Sequence, residues 1–546
     1  MSRSGRVVRW TIGAVMLGVL TLWAGQTSKV GTAPLPSKGA LHHGPSLNPS
    51  LKQFSEAYGL IEANYADPVS PDVAIYGPSG DNSVGAIPGM LRRLDPHSNF
   101  FDPTEFAKLR QEMSGNYFGV GMRIAPRLGK SGKMVTVVDE PMPGSPAFRA
   151  GLRPGDVIAA VNAKSTADMD TTTVANLLRG PRGTQVRIAV VREGSPKPLE
   201  FTLTRDKITT PSVEVAFMIR PGVAYIHINA FNETTNPELS AALNRMGQQN
   251  IRALILDLRG NRGGLLQQAV AVSSHFLRKN QLIVYHYGLH SPEERYYAID
   301  GEQGPEYPIV VLINKDTASA AEIVTGALQD HDRALVMGQR SFGKGLVQTE
   351  FPLSNDTMLL LTTARYYTPS GRLIQRDYSN ISLYDYYYQY DLASLPHTQV
   401  RLTDGGREMY GGGGITPDVA VPLPKLNPTE QKLVDAGAFF DFGDSYLASH
   451  KTVPPDFRPG SKAMEAFRKF LVSENIPISN QDFKSSEAFI REHIRAQLIG
   501  TIYGENAANQ IRVDNDPLVQ RATDSFAQAK ELMVHARRYM ASRGMQ

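Results

Sequence analysis

The hydrophobic positions of the chain follow different spacings in four successive regions. In residues 51–113 they recur every three to four residues, which predicts a helical region. In residues 114–207 short alternating runs are separated by turn residues, which predicts a small, mostly β domain. In residues 208–426 buried strands alternate with helical stretches, which predicts an α/β core. Residues 427–546 again read as helices, predicting a C-terminal helical extension.

The α/β region contains two strand–turn–helix units. The apolar runs Ala253–Leu258 and Ile309–Ile313 each end in a polar turn, and helical patterns follow at Leu265–Leu277 and Ser319–Gln329. Successive units of this kind favour neighbouring parallel strands with both turns at the same edge of the sheet. Active sites of open α/β sheets gather at that edge. A further strand is predicted over Thr357–Tyr367.

The N-terminus has the pattern of an export signal. Arg3, Arg6 and Arg9 precede an uncharged apolar run over residues 10–24, as in a secretory signal peptide with an apolar region of about 7–15 residues. This run is short for a membrane-spanning helix, which needs about 20 residues. We therefore expect residues 1–25 to be a signal peptide or an inner-membrane anchor, and the protein to be exported to the periplasm or cell envelope. Residues 26–50, rich in Gly, Pro, Ser and Thr, predict a flexible linker.

Composition excludes several classes of function. The formal net charge is only +4 over 546 residues, and no Lys/Arg-rich block follows the N-terminus, so nucleic acid is not an expected partner. The chain has no cysteine, which removes disulfides, thiol nucleophiles and cysteine-ligated zinc. The zinc-protease pattern HExxH is also absent. We predict neither a metal nor a cofactor.

Ser319 is the first candidate for catalysis. The local sequence Ser319-Ala-Ala-Glu322 fits a capping box, in which the serine simply starts a helix. Its small neighbours, however, leave room for a substrate backbone, and the amide of Ala320 at a helix start suits an oxyanion. Gly263 and Gly264, at the end of the other strand, are candidates for the second donor.

A serine nucleophile needs a base, and Lys344 is the candidate. A free lysine has a pKa of about 10.4 and must be shifted down to act at neutral pH; burial does this. Lys344 lies in the run Phe342–Val347, which contains no acidic residue. Gln348 is neutral and could orient the amine by hydrogen bonding without raising its pKa.

Histidine alternatives are weaker. His97 lies in a turn sequence, where a turn-stabilising or packing role is favoured over a base. His286 and His290 lie in a predicted strand, where four residues separate their Cα atoms by about 13 Å. His331 follows a helix end, which favours a solvated C-capping role. The nucleophile-elbow pattern GxSxG is absent.

The β region carries the sequence PGSPAFRAGLRPGDVIAAVN (residues 143–162), which together with the YFGVGM segment resembles a PDZ domain. In such a domain, loop amides hold a peptide's terminal carboxylate and a strand edge pairs with the extended tail. The candidate peptide-binding residues are Tyr117, Phe118, Gly119 and Val120. A small β domain without a ligand is the alternative.

Over residues 51–423 the chain resembles the C-terminal processing peptidases, or tail-specific proteases. The motifs that carry this resemblance occur in family order: LDPHSNFFDP, the PDZ sequence, LDLRGNRGG, TASAAEIVTGALQD, FGKGLVQ, YYTPSGRLIQ and GGGGITPDV. One departure is Arg262, where the family usually has Pro or Gly.

The resemblance implies a crotonase-like α/β protease core with an inserted PDZ domain that acts as a substrate-gated lid. It makes Ser319 the nucleophile, Lys344 the general base and Gln348 the residue that orients the lysine, with Ala320, Gly263 and Gly264 as the oxyanion hole. Proteins with unstructured C-terminal tails are the implied substrates, and a homodimer the implied assembly. The alternative is a non-catalytic PDZ scaffold on an inactive protease fold.

Overall fold

The computed structural model describes residues 47–66, 68, 70–77, 85–129, 133–192, 195–299, 305–354, 356–379, 381–389, 398–422 and 424–544. The predicted signal or anchor segment and nearly all of the predicted linker lie outside these residues. Within the described ranges, no helix is both long and apolar enough to cross a membrane.

The N-terminal region is helical, as the sequence predicts, with one short strand that joins the core. Asp102 caps the last helix and forms a capping box with Glu105. The elements are α1 (Leu47–Asn64), α2 (Pro71–Tyr76), α3 (Ala86–Arg92), β1 (Asn99–Phe101) and α4 (Pro103–Ser114).

The second unit is the predicted β domain. Its sheet has the order β3-β4-β5-β7-β8, with β6 on β5, while β2 pairs separately with β9. Residues 116–128 form two strands and not one, because the chain turns at Gly121 with φ +74°. The elements are β2 (Asn116–Gly119), β3 (Met122–Leu128), β4 (Met134–Pro141), α5 (Pro146–Ala150), β5 (Val157–Val161), β6 (Lys164–Ser165), α6 (Thr171–Leu178), β7 (Gln185–Val191), β8 (Leu199–Thr204) and β9 (Asp206–Thr209).

The α/β core contains a six-stranded sheet and a five-stranded sheet. The strands and helices are β10 (Val213–Arg220), β11 (Val223–Ile228), α7 (Thr235–Met246), β12 (Ala253–Asp257), α8 (Leu266–Ser274), β13 (Leu282–Gly288), β14 (Ser291–Tyr297), β15 (Ile309–Ile313), α9 (Ala320–Asp330), β16 (Leu335–Gly338), β17 (Leu346–Pro352), β18 (Met358–Tyr367), β19 (Thr398–Leu402), β20 (Glu408–Gly411) and β21 (Val419–Ala420). A 3₁₀ turn at Gln248–Asn250 and a π-helical turn at Asp385–Gln389 complete it.

The six-stranded sheet has the order β10-β11-β12-β15-β16-β21. Its strands from β11 to β21 are parallel, and β10 is antiparallel at the edge. The predicted neighbours β12 and β15 are paired in parallel, with Leu254 opposite Ile309. The prediction that both turns meet at one edge is therefore confirmed.

The five-stranded sheet is antiparallel. Its order is β1-β18-β13-β14, with β17 also paired to β18. It joins residues far apart in the chain, since Asn99 in β1 lies opposite Leu360 in β18.

The C-terminal region is helical, as predicted. Their elements are α10 (Pro428–Asp435), α11 (Ala438–His450), α12 (Ser461–Ser473), α13 (Asn480–Ser485), α14 (Glu487–Tyr503), α15 (Glu505–Asn515), α16 (Pro517–Asp524) and α17 (Phe526–Ser542). All six helices from α10 to α15 contribute to one apolar core that includes Phe467. Ser525 separates α16 from α17.

Helices cover both faces of the six-stranded sheet. Side chains alternate along each strand, so Leu254 and Leu256 of β12 pack with α8 and α9, while Ile255 faces the other way. On that second face, Leu518 and Ala522 of α16 join the same cluster. The C-terminal region therefore completes a three-layer α/β/α core.

Candidate active site

Ser319 stands at the turn between β15 and α9. Its backbone has φ +59° and ψ −119°, a conformation that costs a non-glycine residue roughly 1–3 kcal/mol and clusters at functional sites. The Thr317 hydroxyl donates to the Leu258 carbonyl at 2.9 Å, which fixes this turn to the end of β12. Ser319 is fully buried, and its Oγ makes no hydrogen bond to any described residue.

Glu322 provides only its own half of the predicted capping box. Its Oε2 accepts the Ser319 N–H at 2.8 Å, whereas the Glu322 N–H donates to the Ser319 backbone carbonyl at 2.8 Å. The serine hydroxyl is therefore not used as a cap. Ser319 is the N-cap residue of α9 by position, as predicted, and the Glu322 carboxylate holds its backbone.

The same carboxylate also holds the lysine loop. Glu322 Oε2 accepts the Lys344 N–H at 2.9 Å, and Oε1 accepts the Gly343 N–H at 2.7 Å as well as the Ser341 hydroxyl. Burial raises the pKa of the Glu322 carboxyl to about 7. One buried side chain thus joins the backbone of the serine turn to that of the lysine loop.

Tyr366 joins the two segments from the other side. Its hydroxyl lies within hydrogen-bond reach of the Ser319 carbonyl oxygen, at 3.1 Å, and of the Lys344 carbonyl oxygen. The ring is almost completely buried. Glu322 therefore fixes the N–H groups of Ser319 and Lys344, while the Tyr366 hydroxyl, with one proton to donate, lies between their carbonyl oxygens.

The electrostatics of Lys344 match the requirement for a base. The side chain is 1% exposed, and burial lowers its pKa to about 7, against the opposing pull of Asp95 and Glu322. Neither carboxylate belongs to the run Phe342–Val347, so the local sequence could not reveal them. A substantial fraction of this lysine is neutral at physiological pH.

Gln348 is fully buried on β17. Its Nε2 donates to the Thr362 hydroxyl on β18 at 3.2 Å, while its Oε1 makes no hydrogen bond to a described residue. Buried polar atoms without partners are uncommon in folded proteins. Ser319 Oγ and Gln348 Oε1 are two buried polar atoms without a partner among the described residues.

The glycine turn lies directly against the serine. A Cβ at Gly263 would be 2.7 Å from the Ser319 Cβ and 2.9 Å from the Ala320 nitrogen, so no larger residue fits. The Gly263 N–H donates to Asn261 Oδ1 at 2.8 Å. The amides of Gly264 and Ala320 make no hydrogen bond to described residues and are the free donors of the predicted set.

The LDPHS turn also reaches this site, which the sequence patterns do not indicate. Asp95 accepts hydrogen bonds from the backbone and hydroxyl of Ser98, and from the backbone of His97. The His97 Nε2 contacts the Tyr386 hydroxyl at 2.9 Å. Burial, reinforced by Lys344 and Arg376, holds the pKa of His97 well below its usual value. The backbone of His97 thus takes part in the turn while its ring packs against Tyr386, which favours the predicted turn-stabilising or packing role over a catalytic one.

The other histidines are engaged elsewhere. His331 is the C-cap residue of α9, as predicted. It is not solvated, however, because it is mostly buried and its two ring nitrogens contact Asp404 and the Leu282 carbonyl, each at 2.7 Å. His286 lies on β13 as predicted and contacts Tyr296. In the described part of the chain, no group of three or more His, Cys, Asp or Glu residues could hold a metal ion.

The PDZ-like domain has a cavity of about 430 Å³ between the edge strand β3 and helix α6. Of the predicted peptide-binding residues, Tyr117 and Val120 line it; Gly119 and Phe118, which is 38% exposed, do not. Residues not predicted complete the lining, among them Met122, Ile124, Met142, Ala175, Leu178 and Arg179. Helix α4 adds Lys108, Gln111 and Glu112 from outside the domain.

Comparisons with known proteins agree with this architecture. Residues 222–381 match the model of peptidase family S41, and residues 137–192 match that of a PDZ domain. A carboxy-terminal-processing protease of Bartonella bacilliformis is 37% identical over 53% of this chain and 66% of its own length. A carboxyl-terminal-processing protease of Synechocystis sp. is 37% identical over 54% of this chain and 69% of its own length.

A solved photosystem II D1 C-terminal processing protease is 28% identical, covers 68% of this chain and 93% of its own, and has a TM-score of 0.35. The family assignment therefore depends on the sequence matches, which span about two thirds of the length of the relatives. The chain belongs to peptidase family S41, together with these carboxy-terminal-processing proteases. The predicted α/β protease fold with a PDZ domain is confirmed.

Proposed function

We propose that this chain is an exported serine endopeptidase that uses Ser319 as nucleophile and Lys344 as general base. The observation that carries the proposal is the shared anchoring of the two residues by Glu322 Oε2, at 2.8 and 2.9 Å. An uncommitted, buried hydroxyl stands in a strained turn, and the lysine fixed beside its backbone has a pKa of about 7.

The chemistry follows from these groups. Neutral Lys344 Nζ takes the proton of Ser319 Oγ as the oxygen attacks the substrate carbonyl. The amides of Ala320 and Gly264 hold the resulting oxyanion. The protonated lysine then gives its proton to the leaving amine, leaving an acyl-enzyme. Water, deprotonated by the again neutral lysine, hydrolyses the ester. Gln348 orients the amine without adding a charge.

The PDZ domain would supply the substrate. Its cavity has an apolar lining and lies between α6 and β3, the edge strand of the described sheet, which suits an extended C-terminal tail added as a further strand. Because Ser319, Lys344 and Gln348 are all buried, a peptide bond reaches the serine only after the surrounding segments open. We infer that tail binding and opening are linked.

Export and assembly are proposals from the sequence. The arginines and apolar run of residues 1–25 support secretion across the inner membrane or anchoring in it. A homodimer is the assembly implied by the family resemblance. Fractionation of cells expressing the full chain, and light scattering of the purified protein, test these two points.

The catalytic proposal is tested with a folded substrate that carries an unstructured C-terminal tail. Cleavage is measured for the parent, Ser319→Ala, Lys344→Ala and Lys344→Arg. Arginine keeps the charge but does not release its proton in this pH range, so all three variants should lose cleavage. Parent-like cleavage by Ser319→Ala or by Lys344→Arg would overturn the assignment.

A further inference from the structure

We propose that Asp516, in the C-terminal helical extension, is a positioning residue for the oxyanion turn and acts through Arg259. Asp516 lies far beyond residue 381, where the match to the S41 family model ends. The inference depends on the proposed function, since it assigns Asp516 a part in the reaction at Ser319.

The two carboxylate oxygens of Asp516 have different hydrogen-bond partners. Oδ1 accepts the backbone N–H groups of Leu518 and Val519, at 2.8 and 3.3 Å, and so caps α16. Oδ2 lies 2.8 Å from the Arg259 guanidinium. Helix α16 is itself packed on the six-stranded sheet through Leu518 and Ala522. The carboxylate is therefore held at a fixed place relative to that sheet.

Arg259 is the first residue of the turn that follows β12. Its guanidinium also pairs with the buried carboxylate of Asp257, which accepts the Tyr225 hydroxyl at 2.8 Å. Asp257 and Asp516 both raise the pKa of the Arg259 guanidinium, and its side chain is 18% exposed. Charge-assisted bonds of this kind are stronger than neutral ones and fix orientation. Arg259 is thus clamped between the end of its own strand and the start of α16.

From Arg259 a short series of hydrogen bonds reaches the nucleophile. The next residue, Gly260, donates its N–H to Asn314 Oδ1 at 2.9 Å. Asn261 accepts the Ala318 N–H at its carbonyl, at 2.9 Å, and the Gly263 N–H at Oδ1, at 2.8 Å. Gly263 then lies against the Ser319 Cβ.

Small displacements of this turn matter because oxyanion donors work only when preorganised. Without Asp516, Arg259 retains Asp257 but loses its contact with the neighbouring layer. The start of the turn then has more freedom, and the Gly264 amide is less well placed for the oxyanion. Substrate capture at the PDZ domain is unaffected, so the loss should fall on kcat and not on KM.

The test compares the parent with Asp516→Asn. Asparagine caps a helix about as well as aspartate, so α16 is retained while the charge facing Arg259 is removed. Asp514→Asn is the matched control, because it removes an exposed charge two residues away that is not paired with Arg259. We expect kcat of Asp516→Asn to fall about threefold to tenfold with KM unchanged, and urea unfolding to match the control. Asp516→Ser, another capping residue, should behave like Asp516→Asn.

A double-mutant cycle separates positioning from general loosening. In an Arg259→Lys background, Asp516→Asn should have a much smaller effect on kcat, because the two residues act through one contact. Fully additive effects, or a kcat of Asp516→Asn equal to that of Asp514→Asn, would overturn the inference. Ser319→Ala is assayed in the same experiment. If this variant still cleaves the substrate, the proposed function is wrong, and the inference about Asp516 is wrong with it.

Discussion

The backbone N–H groups of Ser319 and Lys344 donate to one and the same oxygen, Glu322 Oε2, at 2.8 and 2.9 Å. The two residues belong to different segments, one at a helix start and one before a strand of the second sheet. A shared acceptor fixes their relative position more firmly than separate partners would. It also places a carboxyl group with a pKa of about 7 beside the lysine.

Replacement of Glu322 by Gln should damage stability and activity together. The carboxylate accepts from three backbone amides and one hydroxyl, whereas an amide offers one acceptor oxygen and turns an NH₂ group towards donors. We expect the free energy of unfolding to fall by about 2 to 4 kcal/mol, measured by urea denaturation. Glu531→Gln, an exposed position, should leave it unchanged; equal values for both variants would contradict the joining role.

The pH dependence of cleavage should follow the protonation state of Lys344. Lys344 acts as a base only when neutral, and its pKa is lowered to about 7. The value of kcat/KM should therefore rise with pH, reach half its maximum near that pKa, and level off above it. Initial rates between about pH 5.5 and 9 measure this. A rate that is flat or falls over that range would show that a neutral lysine is not required.

Gly263→Ala should abolish most of the activity. The added Cβ would lie 2.7 Å from the Ser319 Cβ and 2.8 Å from the Ala318 carbonyl oxygen, at a φ of +96°. Displacement of the serine or of the oxyanion donors should lower kcat by about 100-fold or more. Gly437→Ala is the control, since it has a φ of +63° with no atom within 4 Å. Activity of Gly263→Ala close to that control would mean that the turn is not part of the site.

The PDZ cavity should decide how well a tailed substrate is captured. Ala175 lines the cavity on α6, while the neighbouring Asn176 is exposed and does not. Ala175→Arg should raise the KM for the tailed substrate and the Kd for a tail peptide about tenfold or more, because the large side chain occupies the groove. Asn176→Arg should bind like the parent. Equal binding by both variants would place the tail elsewhere.

Local sequence patterns are sufficient to predict those strands and helices that are apolar runs bounded by turn residues. The strand at 309–313 has the predicted bounds, and the strands predicted over 253–258 and 357–367 each differ from the observed strand by one residue. The parallel pairing of β12 with β15 also followed from two consecutive strand–turn–helix units. Ser319 and Lys344 are candidates because each stands at a recognisable turn in the sequence, and the family motifs imply the catalytic roles proposed for them.

Contacts between distant segments could not be predicted in this way. Nothing near Asn99 indicates that β1 pairs with β18, and nothing near Phe342–Val347 indicates that Asp95 and Glu322 face Lys344. The Ser-x-x-Glu spacing predicted a serine cap, but the hydroxyl is uncommitted because Glu322 and Tyr366 hold the backbone. The contact of Asp516 with Arg259 likewise arises only when α16 packs on the sheet.

Labelling with a serine-reactive phosphonate, with a tail peptide bound and the adduct located by peptide mass spectrometry, tests the central claim most directly. The account predicts one adduct on Ser319, none in Ser319→Ala, and labelling of Lys344→Ala slower by about 100-fold or more. No adduct at Ser319 would favour a non-catalytic PDZ scaffold. Labelling of Lys344→Ala at the parent rate would contradict the Ser319–Lys344 mechanism.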